Sequence, residues 1–295
     1  MPHPAPASRR LAVPRPTPPR PDARGPERAP LERAPLERAP RVSVARVLSK
    51  FGVCSRRDAE RWVVDGRVRV DGRVVHDPAT RIDPRHARLE VDGRWVRAAP
   101  LLYLALHKPR GVVTSRVPER GARTVYDLLP AADADCHLSA VGRLDKASEG
   151  LLLLTNDTRW AARVLDPAAH VPKEYHVHVD VVPDETLLAA VRRGVAGEPG
   201  EWLAAAEARV LRAGTRTGWL ALVLHEGRNR HIRRLLAALG VEVKRLIRVR
   251  IGPLLLGDLA PGAVRLLPPA ERAALAPPPI TVRGVRHAAD SASAP

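Results

Sequence analysis

The run Gly142-Arg143-Leu144-Asp145-Lys146-Ala147-Ser148-Glu149-Gly150-Leu151-Leu152-Leu153-Leu154-Thr155-Asn156-Asp157 puts a carboxylate on a tight loop just ahead of a buried-looking strand. Glycines bracket the loop, and four consecutive leucines have strand length with no polar interruption. Loops at strand ends are where catalytic groups often lie. Taken alone, Asp145 reads as a turn or cap residue. The pair Asp145 and Glu149 also admits a two-carboxylate glycosidase, although spacing along the chain does not set their separation in space.

Further strand-like segments surround this run, at Leu102 to Leu106, Tyr175 to Val179, Leu220 to Leu224 and Leu246 to Ile251. Helical patterns fall at Trp160 to Leu165, with Asp157 as cap and Pro167 as stop, at Asp184 to Arg193, and at Arg230 to Leu239. The two kinds of element do not alternate regularly, which predicts an α+β fold and not a doubly wound sheet.

Residues 41–98 form a separate block. Ser43 can cap a helix carrying Val44, Val47 and Leu48 that Gly52 stops, and Ser55 to Asp58 has capping-box spacing for a second, ended by Gly66. Val68-Arg69-Val70 and Arg73-Val74-Val75 flank Asp71-Gly72, a hairpin signal. Residues 1–40 hold twelve of the 30 prolines and end in a repeat of Glu-Arg-Ala-Pro-Leu, too little apolar surface to offset ordering entropy, so a disordered arm is predicted. A flexible tail is expected over 273–295, leaving 99–272 as the main domain.

Composition narrows the function. The 295 residues carry 49 basic and 32 acidic side chains, a formal charge of +17, and every base except Lys50, Lys108, Lys146, Lys173 and Lys244 is arginine. Such a surface attracts phosphates and forks onto them, so a polyanionic partner is expected, although a GC-rich genome also enriches Arg, Ala and Pro. Cys54 and Cys136 alone make neither a disulfide framework nor a cysteine zinc site, which fits a reduced cytoplasmic protein. Apolar runs are too short to span a bilayer, so no membrane partner is expected. Five Trp, three Tyr and one Phe are too few for a single-strand binder built on many stacking platforms.

Arginines gather where the helix dipole disfavours them. Arg228, Arg230, Arg233 and Arg234 crowd the start of a helix that Asn229 can cap, whose apolar face is Ile232, Leu235, Leu236 and Leu239. That placement makes sense if a phosphate or carboxylate sits among them. Arg56 and Arg57 repeat the anomaly, and Arg67, Arg69 and Arg73 add cations on the hairpin, together suggesting a phosphate-tracking surface. His176 and His178 alternate with Tyr175, Val177 and Val179, so they share one strand face without a third ligand, and no metal is expected. Tyr175 by periodicity is a core residue with a polar tip.

From Arg41 to Leu267 the chain resembles the RsuA/RluB-type pseudouridine synthases, enzymes that modify uridines in ribosomal RNA. Ser55-Arg56-Arg57-Asp58-Ala59-Glu60 with Gly66-Arg67-Val68-Arg69-Val70-Asp71-Gly72 resembles an S4 RNA-binding domain. His107-Lys108-Pro109-Arg110-Gly111, Gly142-Arg143-Leu144-Asp145, Lys173-Glu174-Tyr175 and Glu226-Gly227-Arg228-Asn229-Arg230 through Arg234 follow in the family's order. The segment 228 to 230 and Arg245-Leu246-Ile247-Arg248 resemble the large-subunit RluB branch more than the RsuA branch. Ser148 stands where the family usually has Thr, and Phe51 where a small residue is frequent.

The resemblance implies a catalytic domain at 99–272 built on a mixed, largely antiparallel sheet with flanking helices. It makes Asp145 the nucleophile, Tyr175 the ring stacked on the target uracil and Arg233 the basic partner of Asp145. RNA contacts are expected from Arg56, Arg57, Arg67, Arg69, Arg73, Lys108, Arg143, Arg228, Arg230 and Arg234. An isomerisation needs no redox step or energy input, so no cofactor is implied. The expected enzyme is a cytoplasmic monomer acting on one uridine of 23S ribosomal RNA. A 16S target and a noncatalytic S4-containing RNA-binding or ribosome-assembly protein are the alternatives.

Overall fold

The structure, a computed structural model, describes residues 41–117, 121–131 and 136–276. The expected N-terminal arm therefore lies outside the described residues, as does the chain after Ala276.

The first block contains β1 (Val42–Ser43), α1 (Val44–Lys50), α2 (Arg56–Val64), β2 (Val68–Val70), β3 (Arg73–Val74), β4 (Arg81–Ile82), β5 (Leu89–Val91) and β6 (Arg94–Val96). Ser55 Oγ accepts the Asp58 amide at 3.0 Å and starts α2. Asp71 and Gly72 take left-handed φ of 50° and 81°, which turns β2 tightly into β3. Asp92-Gly93 repeats the device between β5 and β6. The antiparallel sheet β3-β2-β5-β6 and the two helices close over Val44, Val47, Leu48, Ala59, Val63, Val68 and Leu89. The turn after α1 docks onto the second block: the Phe51 carbonyl accepts from Ala99 N at 2.9 Å and the Gly52 carbonyl from His137 N at 2.8 Å.

The second block runs β7 (Tyr103–Lys108), β8 (Ser139–Val141), β9 (Glu149–Thr155), α3 (Thr158–Leu165), β10 (Lys173–Val179), α4 (Glu185–Arg193), β11 (Val195–Ala196), β12 (Trp202–Leu203), β13 (Glu207–Ala213), β14 (Gly218–Leu224), α5 (His231–Ala238), β15 (Val243–Ile251), β16 (Leu254–Leu255), β17 (Val264–Leu266) and α6 (Pro269–Leu275). One mixed sheet of order β13-β14-β10-β15-β9-β7-β17 dominates it. All its pairings are antiparallel except β15 with β9. This is the α+β architecture expected from the sequence.

Both faces of the sheet are covered, which explains the unbroken leucine run. Leu152 and Leu154 face a core with Leu188 and Val191 of α4 and Ile232, Leu235 and Leu236 of α5. Leu151 and Leu153 face the opposite core with Trp160 and Val164 of α3 and Leu275 of α6. A strand buried on two sides has no polar face to display. α6 also carries the packed chain past the expected start of the tail at 273, because Leu275 and Ala276 are buried in that second core.

Candidate active site

Asp145 lies on the loop between β8 and β9, and that loop is held by its backbone. Its five consecutive carbonyls each have a donor. Leu144 O accepts from Thr114 Oγ1 at 2.9 Å, Asp145 O from Ser148 N at 3.0 Å and Lys146 O from Gly111 N at 2.8 Å. Ala147 O accepts from Arg233 Nη2 at 3.2 Å and Ser148 O from Lys108 Nζ at 2.7 Å. A loop so fully bonded presents its side chain from a fixed position, which is what pre-organised chemistry needs. The Asp145 side chain is 39% exposed.

The loop faces a cleft of about 630 Å³. Arg143, Asp145, Lys173, Tyr175, Arg230 and Arg248 are among the residues that line it. Tyr175, on β10, is 8% exposed and reaches the cleft from the core face of the sheet, as its alternation with the histidines requires. Strand geometry sends His176 and His178 the other way, where His178 stacks on Trp219 with ring centroids 4.9 Å apart. Among the described residues no three His, Cys, Asp or Glu side chains gather as a metal site.

Two pairs of strand residues tie the loop to the sheet. Gly150 has φ +105°, and a Cβ there would strike the Arg248 backbone, so glycine alone lets β9 lie against β15. Beside it, Glu149 Oε1 and Oε2 accept from Arg245 Nε and Nη2, both at 2.8 Å. This pair holds the Glu149 carboxyl below its ordinary value, the Arg245 hydrogen bonds outweighing burial. Glu149 is thus a buried clasp between strands, a structural role that the carboxylate-pair glycosidase reading does not accommodate.

Arg228, Arg230 and Arg234 have carboxylate partners, one of the two anions the sequence left open. Arg228 pairs with Glu226 at 2.9 Å and with Glu201 at 3.7 Å, and Arg234 pairs with Glu201. Glu201 sits on the turn before β12, in no recognisable motif, so nothing local in the sequence marks it. Arg230 Nη1 stands 3.9 Å from Asp145 Oδ2, so Arg230 makes the ion pair with the aspartate. Arg233, expected in that role, turns back to the carbonyls of Val243 at 3.0 Å and Ala147. Asp145 still favours the Arg233 charge through space. Desolvation holds the Arg233 pKa down, Arg230 adds like-charge repulsion, and Asp145 opposes both.

The cap of α5 also differs from expectation. Arg230, not Asn229, occupies the N-cap, with φ 49° and ψ 30° in the left-handed region and no side-chain cap bond. A non-glycine residue held there stores strain of about 1–3 kcal/mol, a feature that clusters at functional sites. Here the strained turn aims the Arg230 side chain at Asp145.

Lys108, expected among the RNA contacts, is instead fully buried and donates to the carbonyls of Pro109 at 3.1 Å and Ser148. Burial presses its pKa down to about 8, against the pull of Glu149 and Asp145. Of the other expected contacts, Arg57, Arg69, Arg73 and Arg143 are exposed. Arg56 pairs with Glu60 at 2.9 Å. Arg67 pairs with Asp92 through both carboxylate oxygens and lies over the Trp62 ring.

Comparison with known proteins agrees with this geometry. The RNA pseudouridylate synthase family matches residues 102–238, and the S4 domain family matches 44–87. An uncharacterized RNA pseudouridine synthase of Mycobacterium tuberculosis is 43% identical over 228 residues, covering 77% of this chain and 89% of the relative. The ribosomal large subunit pseudouridine synthase B of Bacillus subtilis is 35% identical over 228 residues, covering 77% and 92%. A crystal structure of a pseudouridylate synthase superposes with TM-score 0.56 at 26% identity, over 79% of this chain and 99% of that one. The chain belongs to the RNA pseudouridine synthases, as an S4 domain followed by the catalytic domain. Among the described residues no helix is long and apolar enough to cross a membrane.

Proposed function

We propose that the enzyme isomerises one uridine of 23S ribosomal RNA, with Asp145 as nucleophile and Tyr175 as the stacking ring, acting as a cytoplasmic monomer. The observation that carries this reading is the rigid Asp145 loop opening beside Tyr175 in a cleft rimmed by Arg143 and Arg230. The large-subunit target draws support from the Bacillus subtilis relative, whose name specifies that subunit.

A uridine leaves its stack at a cost of a few kcal/mol, and stacking on an aromatic ring returns about 1–3 kcal/mol per base. Arg143, exposed at the mouth, braces the vacated space. Arg230 and Arg233 set positive charge beside the Asp145 carboxylate. The carboxylate attacks C1′, the C1′–N1 bond breaks and its electron pair stays with uracil. The base turns, C5 bonds to C1′ and the carboxylate departs. One proton leaves C5 and one is taken up at N1, so the product is an isomer and no co-reactant is consumed. Exposed Arg57, Arg69, Arg73 and Arg143 supply sequence-independent phosphate contacts.

The test is a pseudouridine map of total ribosomal RNA by carbodiimide-based sequencing. A deletion strain should lose one 23S site, regained with the wild-type gene and not with Asp145→Ala. Loss of a 16S site, or rescue by the variant, refutes the corresponding half of the reading.

A further inference from the structure

Lys173 and Arg248 are two cations the mechanism above does not use, and both line the cleft beside Tyr175. Lys173 lies two residues before Tyr175 on β10, and Arg248 is the residue of β15 directly opposite Tyr175, so all three side chains share one face. Arg248 is 5% exposed. Among the described residues only its Nε has an acceptor, the Leu151 carbonyl at 2.7 Å, while Nη2 is buried with none. Lys173 reaches only the His225 carbonyl, at 3.4 Å. Burial lowers the Lys173 pKa and the adjacent Arg248 charge lowers it further. Arg228, Arg230 and Arg234 all have carboxylates, whereas these two have no ion pair among the described residues. A buried guanidinium with idle donors next to a like charge is costly unless an electron-rich group comes to it.

We propose that Lys173 and Arg248 form the leaving-group subsite, binding the oxygens of the flipped uracil and taking up the negative charge that develops on the base as the C1′–N1 bond breaks. The inference rests on the reading of Asp145 and Tyr175 given above. A phosphodiester is the competing occupant. It suits the exposed rim arginines, while a donor sealed beside the stacking ring suits a base edge. The electron pair released from C1′–N1 spreads over N1, O2 and O4 of uracil, where fixed cations in a partly dry cleft stabilise the transition state more than the ground state.

Single-turnover consumption of the target nucleoside tests this, using RNA with uridine or 5-fluorouridine at the site. Fluorine stabilises the departing anion itself, so it should make the cations less necessary. Lys173→Met and Arg248→Lys should slow uridine consumption by about tenfold or more, with RNA affinity within about twofold, and slow 5-fluorouridine by less than about threefold. Equal losses on both substrates, a loss appearing in affinity, or no loss overturns the inference. Lys173, half-buried with one long hydrogen bond, serves as the variant that keeps the fold if Arg248→Lys does not. Asp145→Ala run alongside separates the two readings: turnover by that variant refutes the nucleophile, whereas an inactive Asp145→Ala beside fully active Lys173→Met refutes the subsite alone.

Discussion

Lys108 Nζ donates to the Ser148 carbonyl across 2.7 Å from a position with no solvent exposure, so a buried cation holds the end of the Asp145 loop. Its pKa of about 8 lies below the 10.5 of a free lysine. Between those values the unfolded chain binds the extra proton, so stability attributable to Lys108 rises as pH rises from 8 to 10.5. Urea unfolding of wild type and Lys108→Met should therefore diverge in favour of the wild type over that window, by about 1–3 kcal/mol. A difference independent of pH would contradict the depressed pKa.

Glu149 should behave as a clasp and not as an acid or base. Glu149→Gln is expected to lower stability by about 1–3 kcal/mol at neutral pH and to keep most turnover, whereas Asp145→Asn abolishes it. Because Arg245 lowers the Glu149 pKa, its contribution is present above the ordinary value of 4.5 and is lost as pH falls through the lower folded value. The stability gap between wild type and variant should thus shrink on acidification below pH 4.5. Abolished turnover in a folded Glu149→Gln would reinstate a catalytic carboxylate pair.

Gly150 and Gly72 give a paired test of close approach. Both have positive φ, but a Cβ at 150 meets the Arg248 backbone and one at 72 meets nothing within 4 Å. Gly72→Ala should cost about 1–2 kcal/mol. Gly150→Ala should cost about 3 kcal/mol or more, or fail to fold, as read by chemical denaturation. Similar costs at both positions would show that strand contact does not depend on glycine 150.

Tyr175 should act through its ring. Tyr175→Phe keeps the stacking surface and should lower the single-turnover rate less than Tyr175→Ala, for which a loss equivalent to about 1–3 kcal/mol is expected. Equal losses would assign the role to the hydroxyl.

Local chemistry was legible wherever one residue type decides a backbone conformation. Ser55 capping α2, Asp157 capping α3 at 3.0 Å and the Asp71-Gly72 turn were readable because each acts on its immediate neighbours. Asp92-Gly93 carried the same signal and could have been read the same way. Arg230, not Asn229, caps α5, and its carboxylate partner Asp145 lies 85 residues back in the chain, beyond the reach of local preference. For the same reason the motif containing Lys108 suggested an RNA contact, while its partner, the Ser148 carbonyl, lies forty residues away. Glu201 had no local signal at all, since its importance comes from Arg228 and Arg234 meeting it across the fold.

The parallel pairing of β9 with β15 involves only two residue pairs, Glu149 with Ile247 and Gly150 with Arg248. Every other rung of the main sheet belongs to antiparallel pairings on one side of that seam or the other, with Asp145 attached to one half and Tyr175 carried by the other. Contacts this distant in sequence form against a larger loop-closure entropy than hairpins do. Asp145 and Tyr175 therefore share one cleft only while this two-pair seam is in place. A local opening at that seam parts the two residues while the antiparallel pairings on either side stay formed, so catalysis is lost before either half of the sheet or the RNA-binding domain unfolds.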